Sequence, residues 1–159
     1  MSWQRYCETA DDTKVAGEEF AHLLRPGDMV LLSGQLGAGK TTFVQGVARG
    51  LGVRERVTSP TFIMVREHQC ANELGIATLH HADVYRVGSI GEVSDLALGE
   101  LVEESAVALI EWGEIASSVY GRDVLQVDFL LDDRDGRTLE VSGVLSEGRE
   151  QALTAWSKR

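Results

Sequence analysis

The residues with the clearest chemical potential are Gly34-Gln35-Leu36-Gly37-Ala38-Gly39-Lys40-Thr41-Thr42. Their spacing, G-x-x-x-x-G-K-T, is that of a phosphate-binding loop. Such a loop turns backbone N–H groups inward around a phosphate chain, and its glycines take backbone angles that side chains resist. Leu36 to Thr42 would line a polyphosphate, with Lys40 reaching the β- and γ-phosphates and the Thr41 hydroxyl holding Mg²⁺. Hydrolysis at such a loop needs a second metal anchor, usually an acid at the end of an apolar strand. Two acids stand in that position. Glu111 directly follows Val107-Ala108-Leu109-Ile110, and Asp83 ends a second β-rich stretch. We assign Glu111 to Mg²⁺, directly or through water, and Asp83 to positioning the attacking water. His80 and His81 do not read as a metal site, because neighbours on a strand face opposite ways and no third His or Cys completes a zinc set. One of the two reads as a packed or hydrogen-bonded histidine near the nucleotide. Trp112 fits a base contact, a partner surface or core packing, and Arg137 is a lone arginine in a hairpin.

The elements that must position these residues follow from local pattern. Met29-Val30-Leu31-Leu32 predicts a strand entering the loop, and Thr42 to Ala48 a helix leaving it, stopped at Gly50-Leu51-Gly52. Upstream, Trp3 to Cys7 predicts a short strand. Thr9 or Asp11 can cap a helix whose apolar positions are Val15, Ala16, Phe20, Leu23 and Leu24. Thr61 to Arg66 and Ile76 to Ala82 read as a hairpin across the polar segment His68 to Glu73. Ile90 to Val102 predicts one helix or two, broken near Gly99. Val107 to Ile110 is a buried strand. Val124 to Leu131 and Thr138 to Val144 form a hairpin across Asp132 to Arg137, and Ser146 to Arg159 a terminal helix or tail. The expected architecture is α/β, a three-layer nucleotide-binding fold on a mixed, partly antiparallel sheet, with residues 1–159 as one domain.

Composition narrows the function classes. Hydrophobic residues make up 43% of 159, as in an ordinary globular chain, and no run reaches membrane-span length. The sequence begins without a signal-peptide pattern, so a cytoplasmic location is expected. Cys7 and Cys70 match no metal or redox spacing and read as reduced thiols. A net charge of −10 argues against gripping nucleic acid directly, because that binding rests on Lys and Arg neutralising phosphates.

Several motifs together carry a resemblance. The start of the first helix, the loop from Gly34 to Thr42, Ser59-Pro60-Thr61-Phe62, His81-Ala82-Asp83-Val84-Tyr85-Arg86, Ile110-Glu111-Trp112 and Gly136-Arg137 succeed one another. The chain thereby resembles the TsaE (YjeE) family of small bacterial ATPases over most of its length. The resemblance implies a role in making threonylcarbamoyladenosine beside the anticodon of tRNAs that read codons starting with A. It implies ATP and ADP as ligands with Mg²⁺, and TsaD and TsaB as partners that meet the tRNA, so that this chain touches tRNA only indirectly. Residue by residue, it implies phosphate binding by Gly37 to Thr42 and Mg²⁺ held by Thr41 and Glu111. It further implies a hydrolytic role for Asp83, a switch-loop position near the metal or γ-phosphate for Thr61, and a nucleotide contact for Arg137. Gln35 departs from the family's usual Asp, and Ala116 to Asp123 lacks its usual Leu-Pro.

Two other classes fit less well. A small-molecule kinase would need an arginine-rich lid, and Arg122, Arg134 and Arg137 form no cluster. A GTP-dependent switch would need a guanine-reading Asn-Lys-x-Asp, which is absent.

Overall fold

The computed structural model describes residues 1–59, 65–84, 98–102, 105–112 and 124–159. The segments that hold Thr61, the switch-loop residues Pro60 to Phe62, the helical pattern at Ile90 to Ala97, and Ala116 to Asp123 lie outside the described residues.

Among the described residues, seven strands form one sheet. In chain order they are β1 (Ser2–Cys7), β2 (Met29–Gly34), β3 (Val65–Gln69), β4 (Thr78–Asp83), β5 (Ala106–Glu111), β6 (Leu125–Leu131) and β7 (Arg137–Ser142). Their spatial order is β1-β7-β6-β2-β5-β4-β3. β2 runs parallel to both β5 and β6, and β4 parallel to β5, while β1–β7, β6–β7 and β3–β4 pair antiparallel. The four interior parallel strands therefore point their C-terminal ends to one edge, where ligands of open α/β sheets bind. β2 and β5 are apolar and buried along nearly their whole length, as a strand covered on both faces must be.

Among the described residues, three α-helices, α1 (Ala10–Ala21), α2 (Lys40–Gly50) and α3 (Glu147–Ser157), share one apolar cluster on one face of the sheet. Thr9 starts α1 through a capping box in which its side chain accepts from Asp12 N and the Asp12 carboxylate accepts from Thr9 N. Phe20, Phe43, Phe129 and Trp156 link α1, α2, β6 and α3 through ring contacts of 5.3 to 5.8 Å. α3 is held at both ends: Trp156 Nε1 donates to Ala16 O at 3.0 Å, and Arg149 grips Asp28 and Leu23 O. On the opposite face Met29, Leu31, Ala82, Val84 and Ile110 form a second cluster, with Leu101 and Val102 of a short 3₁₀ helix (Leu98–Val102) packed against it.

α1 and α2 touch backbone to backbone. A Cβ at Gly46 would sit 2.0 Å from Lys14 O, one at Gly17 2.3 Å from Phe43 O, and one at Gly50 2.5 Å from Glu18 O. The helical reading of α1 is corrected by its observed span and buried face. The buried stripe is Thr13, Ala16, Gly17, Phe20 and Ala21, while Val15 is exposed and Leu23 lies past the helix end. The first hairpin also differs from expectation. β3 (Val65–Gln69) continues through His68 and Gln69, so two of the six residues of the expected connecting segment are strand. The fourth residue of that strand, His68, faces inward and pairs with Leu79, which explains why a polar run can be β-structure.

Candidate functional site

The loop between β2 and α2 sits at the C-terminal edge of the parallel strands. Gly39, the N-cap of α2, has φ 103°, a left-handed conformation that side chains rarely adopt. No side chain caps the helix, so N–H groups of its first turn, with the positive end of the helix dipole, are directed at whatever occupies the loop. The loop is closed on itself by a bond from Ala38 N to Gln35 O at 3.0 Å. Leu36 stands out at its tip, 82% exposed, whereas Ala38 is buried and Gly37 has open space beside its Cα.

Lys40 is 5% exposed, and its ammonium group donates to Gly34 O and, at 3.1 Å, to Gln35 O. It also lies 3.7 Å from the centre of the Trp112 ring. Trp112 reaches it because its own φ is 64°, which turns the chain sharply at the end of β5. A non-glycine residue in that region stores about 1–3 kcal/mol of strain, a feature that gathers at functional sites. Of the three roles left open for Trp112, core packing is borne out, because it packs partly buried against the second apolar cluster, and its indole face also covers the loop lysine.

Strand register brings the acids together. β4 and β5 are parallel, with Asp83 opposite Glu111 and His81 opposite Leu109. Leu79 and Leu109 belong to the α2-side cluster, so the alternation places Asp83 and Glu111 on that same side. Glu111 is 3% exposed, and its carboxylate accepts from Thr41 Oγ1 at 2.8 Å (Oε1) and 3.1 Å (Oε2). Its Oε2 also contacts Nε2 of His81, a fully buried ring. His80, its neighbour, is half-buried on the other face, and burial pulls its pKa down against the opposing pull of Glu67. Arg137 comes from the far side of the sheet. It begins β7, is buried, and lies against the loop so closely that a Cβ on Gly39 would be 2.9 Å from its Nη1. Its Nη2 donates to Asp135 O, and its buried Nε has no hydrogen-bond partner.

These features fit a Mg²⁺–nucleotide. A hydroxyl that donates its hydrogen to Glu111 leaves its lone pairs for a cation. Mg²⁺ also favours sites where one or two hard oxygen ligands act together with phosphates. The uncapped helix, the lysine and the unpartnered Arg137 Nε supply the positive field that an anion requires. Among the described residues no group of three or more His, Cys, Asp or Glu forms a metal cage. The structure therefore gathers Leu36 to Thr42, Glu111, Asp83 and Arg137 at one sheet edge, and leaves Thr61 outside the described residues. Sequence reasoning expected one of the two histidines to be packed or hydrogen-bonded but did not name Glu111 as the partner of His81, and it missed the contact of Trp112 with Lys40. The position of both residues beside the acids was the available signal, and strand register was the missing information.

Comparison with known proteins gives a consistent picture. A family model described as "Threonylcarbamoyl adenosine biosynthesis protein TsaE" matches residues 7–139. The tRNA threonylcarbamoyladenosine biosynthesis protein TsaE of Treponema pallidum is 43% identical over 69% of this chain and 78% of its own length. The protein of the same name from Bacillus subtilis is 37% identical over 84% of this chain and 81% of its own. The crystal structure of Bacillus subtilis YdiB superposes with a TM-score of 0.78 at 28% identity, covering 99% of this chain and 95% of that one.

Proposed function

From the premise that this chain belongs to the TsaE family of threonylcarbamoyl adenosine biosynthesis proteins, we propose that it is a Mg²⁺-dependent ATPase. It supports a TsaD–TsaB complex in forming N6-threonylcarbamoyladenosine beside the anticodon of tRNAs that read codons starting with A. It works in the cytoplasm as one domain, and it meets tRNA only through its partners, in keeping with its net charge of −10. The observation that carries the ATPase reading is the contact between Thr41 Oγ1 and Glu111, made across 70 residues of sequence at the mouth of an uncapped helix.

The residues divide the work. N–H groups from Gly37 to Thr42 hold the phosphates, and Lys40 exchanges its bonds to Gly34 O and Gln35 O for phosphate oxygens. Thr41 and Glu111 would hold Mg²⁺, which when bound draws negative charge away from the transferring phosphoryl group. Asp83, beside Glu111 in register, accepts a hydrogen bond from the attacking water and orients it in line. Arg137 neutralises nucleotide charge from the β7 side, and Thr61 is assigned to the metal or the γ-phosphate. Phosphoryl transfer requires little covalent chemistry of the protein, so positioning and charge account for most of the rate.

The test is threonylcarbamoylation of tRNA by TsaD–TsaB over many turnovers, with wild-type chain or Lys40→Ala. Sustained turnover with the wild type and arrest after early cycles with Lys40→Ala is the expected result. Equal support by both proteins would refute the proposal.

A further inference from the structure

His81 has no part in the roles given so far, yet it sits in contact with the group that anchors them. Its position in β4 is fully buried, with Leu109 beside it in register and Leu79 two residues earlier on the same face. An aliphatic side chain would satisfy such a position without polar atoms. The imidazole instead leaves its Nδ1 buried with no hydrogen-bond partner, a cost usually of about 1–3 kcal/mol. What it makes in return is one bond, between its Nε2 and Oε2 of Glu111. A carboxylate only accepts, so the proton in that bond belongs to Nε2.

We propose that His81 is the positioning residue of the metal-anchoring carboxylate, its Nε2–H fixing Oε2 so that Glu111 presents a set geometry to Thr41 and to a divalent cation. Two neighbours then hold Glu111 from different sides: Thr41 from α2 and His81 from β4. A glutamate side chain has three rotatable bonds, and a buried one with a single partner could still turn its second oxygen away. Partners behind a metal-binding carboxylate are worth about 10- to 100-fold in metal affinity. The proposal rests on the reading of Glu111 as a Mg²⁺ anchor.

The experiment titrates Mn²⁺ into the wild-type protein, His81→Leu and His81→Gln in the presence of ADP, following free Mn²⁺ by electron paramagnetic resonance. ADP affinity in EDTA is measured alongside. Gln can place an N–H near the position of Nε2, whereas Leu cannot. The expected result is a loss of Mn²⁺ affinity of about 10-fold or more in His81→Leu, recovery of most of it in His81→Gln, and unchanged ADP affinity without metal. A long-range ¹H–¹⁵N spectrum of the wild-type imidazole, which depends on no variant, is expected to place the proton of His81 on Nε2. A proton on Nδ1 alone, or equal Mn²⁺ affinity in wild type and His81→Leu, would overturn the proposal. Failure of the wild type itself to take up Mn²⁺ with ADP would instead overturn the metal reading of Glu111, and this proposal with it.

Discussion

Replacing Gly46 by Ala tests the packing that holds the phosphate loop in place. Gly46 lies inside α2, where Ala is intrinsically the better helix former by about 1 kcal/mol. Local propensity alone therefore predicts stabilisation. The structure predicts the reverse. The new Cβ would lie 2.0 Å from Lys14 O, 2.9 Å from Lys14 C and 3.0 Å from Glu18 N. All three are backbone atoms of α1 and cannot rotate aside. Relief requires the helices to part by more than 1 Å at their closest point, which loosens the Phe20–Phe43 contact as well. Overpacking typically costs about 1–3 kcal/mol, and a backbone obstacle belongs at or above the top of that range. Offset by propensity, the net loss is about 2 kcal/mol. For a chain of this size that lowers Tm by about 4–8 °C. Gly148→Ala is the internal control, because a Cβ there meets nothing within 4 Å and the position is also helical. It is expected to gain about 0.4–1 kcal/mol. Thermal and urea unfolding of both variants provide the assay, with unchanged m-values showing that stability alone has shifted. A Tm for Gly46→Ala equal to or above wild type would refute the backbone contact between α1 and α2.

Glu111→Gln is expected to retain nucleotide binding in EDTA and to slow hydrolysis by about 10²–10³-fold, the scale of losing one preorganised electrostatic partner; steady-state phosphate release checks it. Glu19 tests the pH dependence. Burial alone would raise its pKa, but the hydrogen bonds and charges of Arg5 and Arg159 outweigh that and hold it below its ordinary value of 4.5. Its contribution is therefore present above that value and lost as pH falls through the depressed one. The Tm gap between wild type and Glu19→Gln, worth about 1 kcal/mol at neutral pH after solvent screening, is expected to close in acid titrations. Burial pushes the Cys70 thiol up to about 11, against its ordinary 9.0, and raises Cys7 too. At pH 7.5 Cys70 is expected to react with iodoacetamide about 100-fold more slowly in the native than in the unfolded chain, a factor of ten per pK unit, as mass spectrometry would show.

Legibility in the sequence followed distance along the chain. The loop was readable because its residues are neighbours and its flanking strand and helix are local patterns. Glu111 was readable as an acid closing an apolar run. Its nearness to Thr41 was expected through a shared Mg²⁺, but the direct bond between them was not legible, because it depends on β5 lying beside β2 and strand order leaves no local trace. Alternation put His81 on the face of Asp83 and His80 on the other, but only the register of β4 against β5 shows that Glu111 shares that face. Gly50 was read as part of a helix stop, and Gly17 and Gly46 carried no assignment. All three proved to be where the helices touch, and Val15 lies on the opposite side of α1 from its buried stripe. Arg137 was assigned from two residues of motif, and its path to Gly39 exists only because β7 folds back across the sheet.

The pairing of β1 with β7 carries a consequence for the way the molecule comes into being. Ser2 meets Ser142 and Cys7 meets Arg137, so the sheet edge is closed by strands about as far apart as this chain allows. Contacts of such long range slow folding, because chain entropy is lost before they form. During synthesis the phosphate loop emerges early, long before Glu111, and Arg137 emerges later still. Until β7 arrives, β1 has no strand to pair with and Gly39 no guanidinium beside it. The nascent chain thus displays the motif well before Glu111 and Arg137 join it, so a ligand of the assembled site would reward folding only at its final stage.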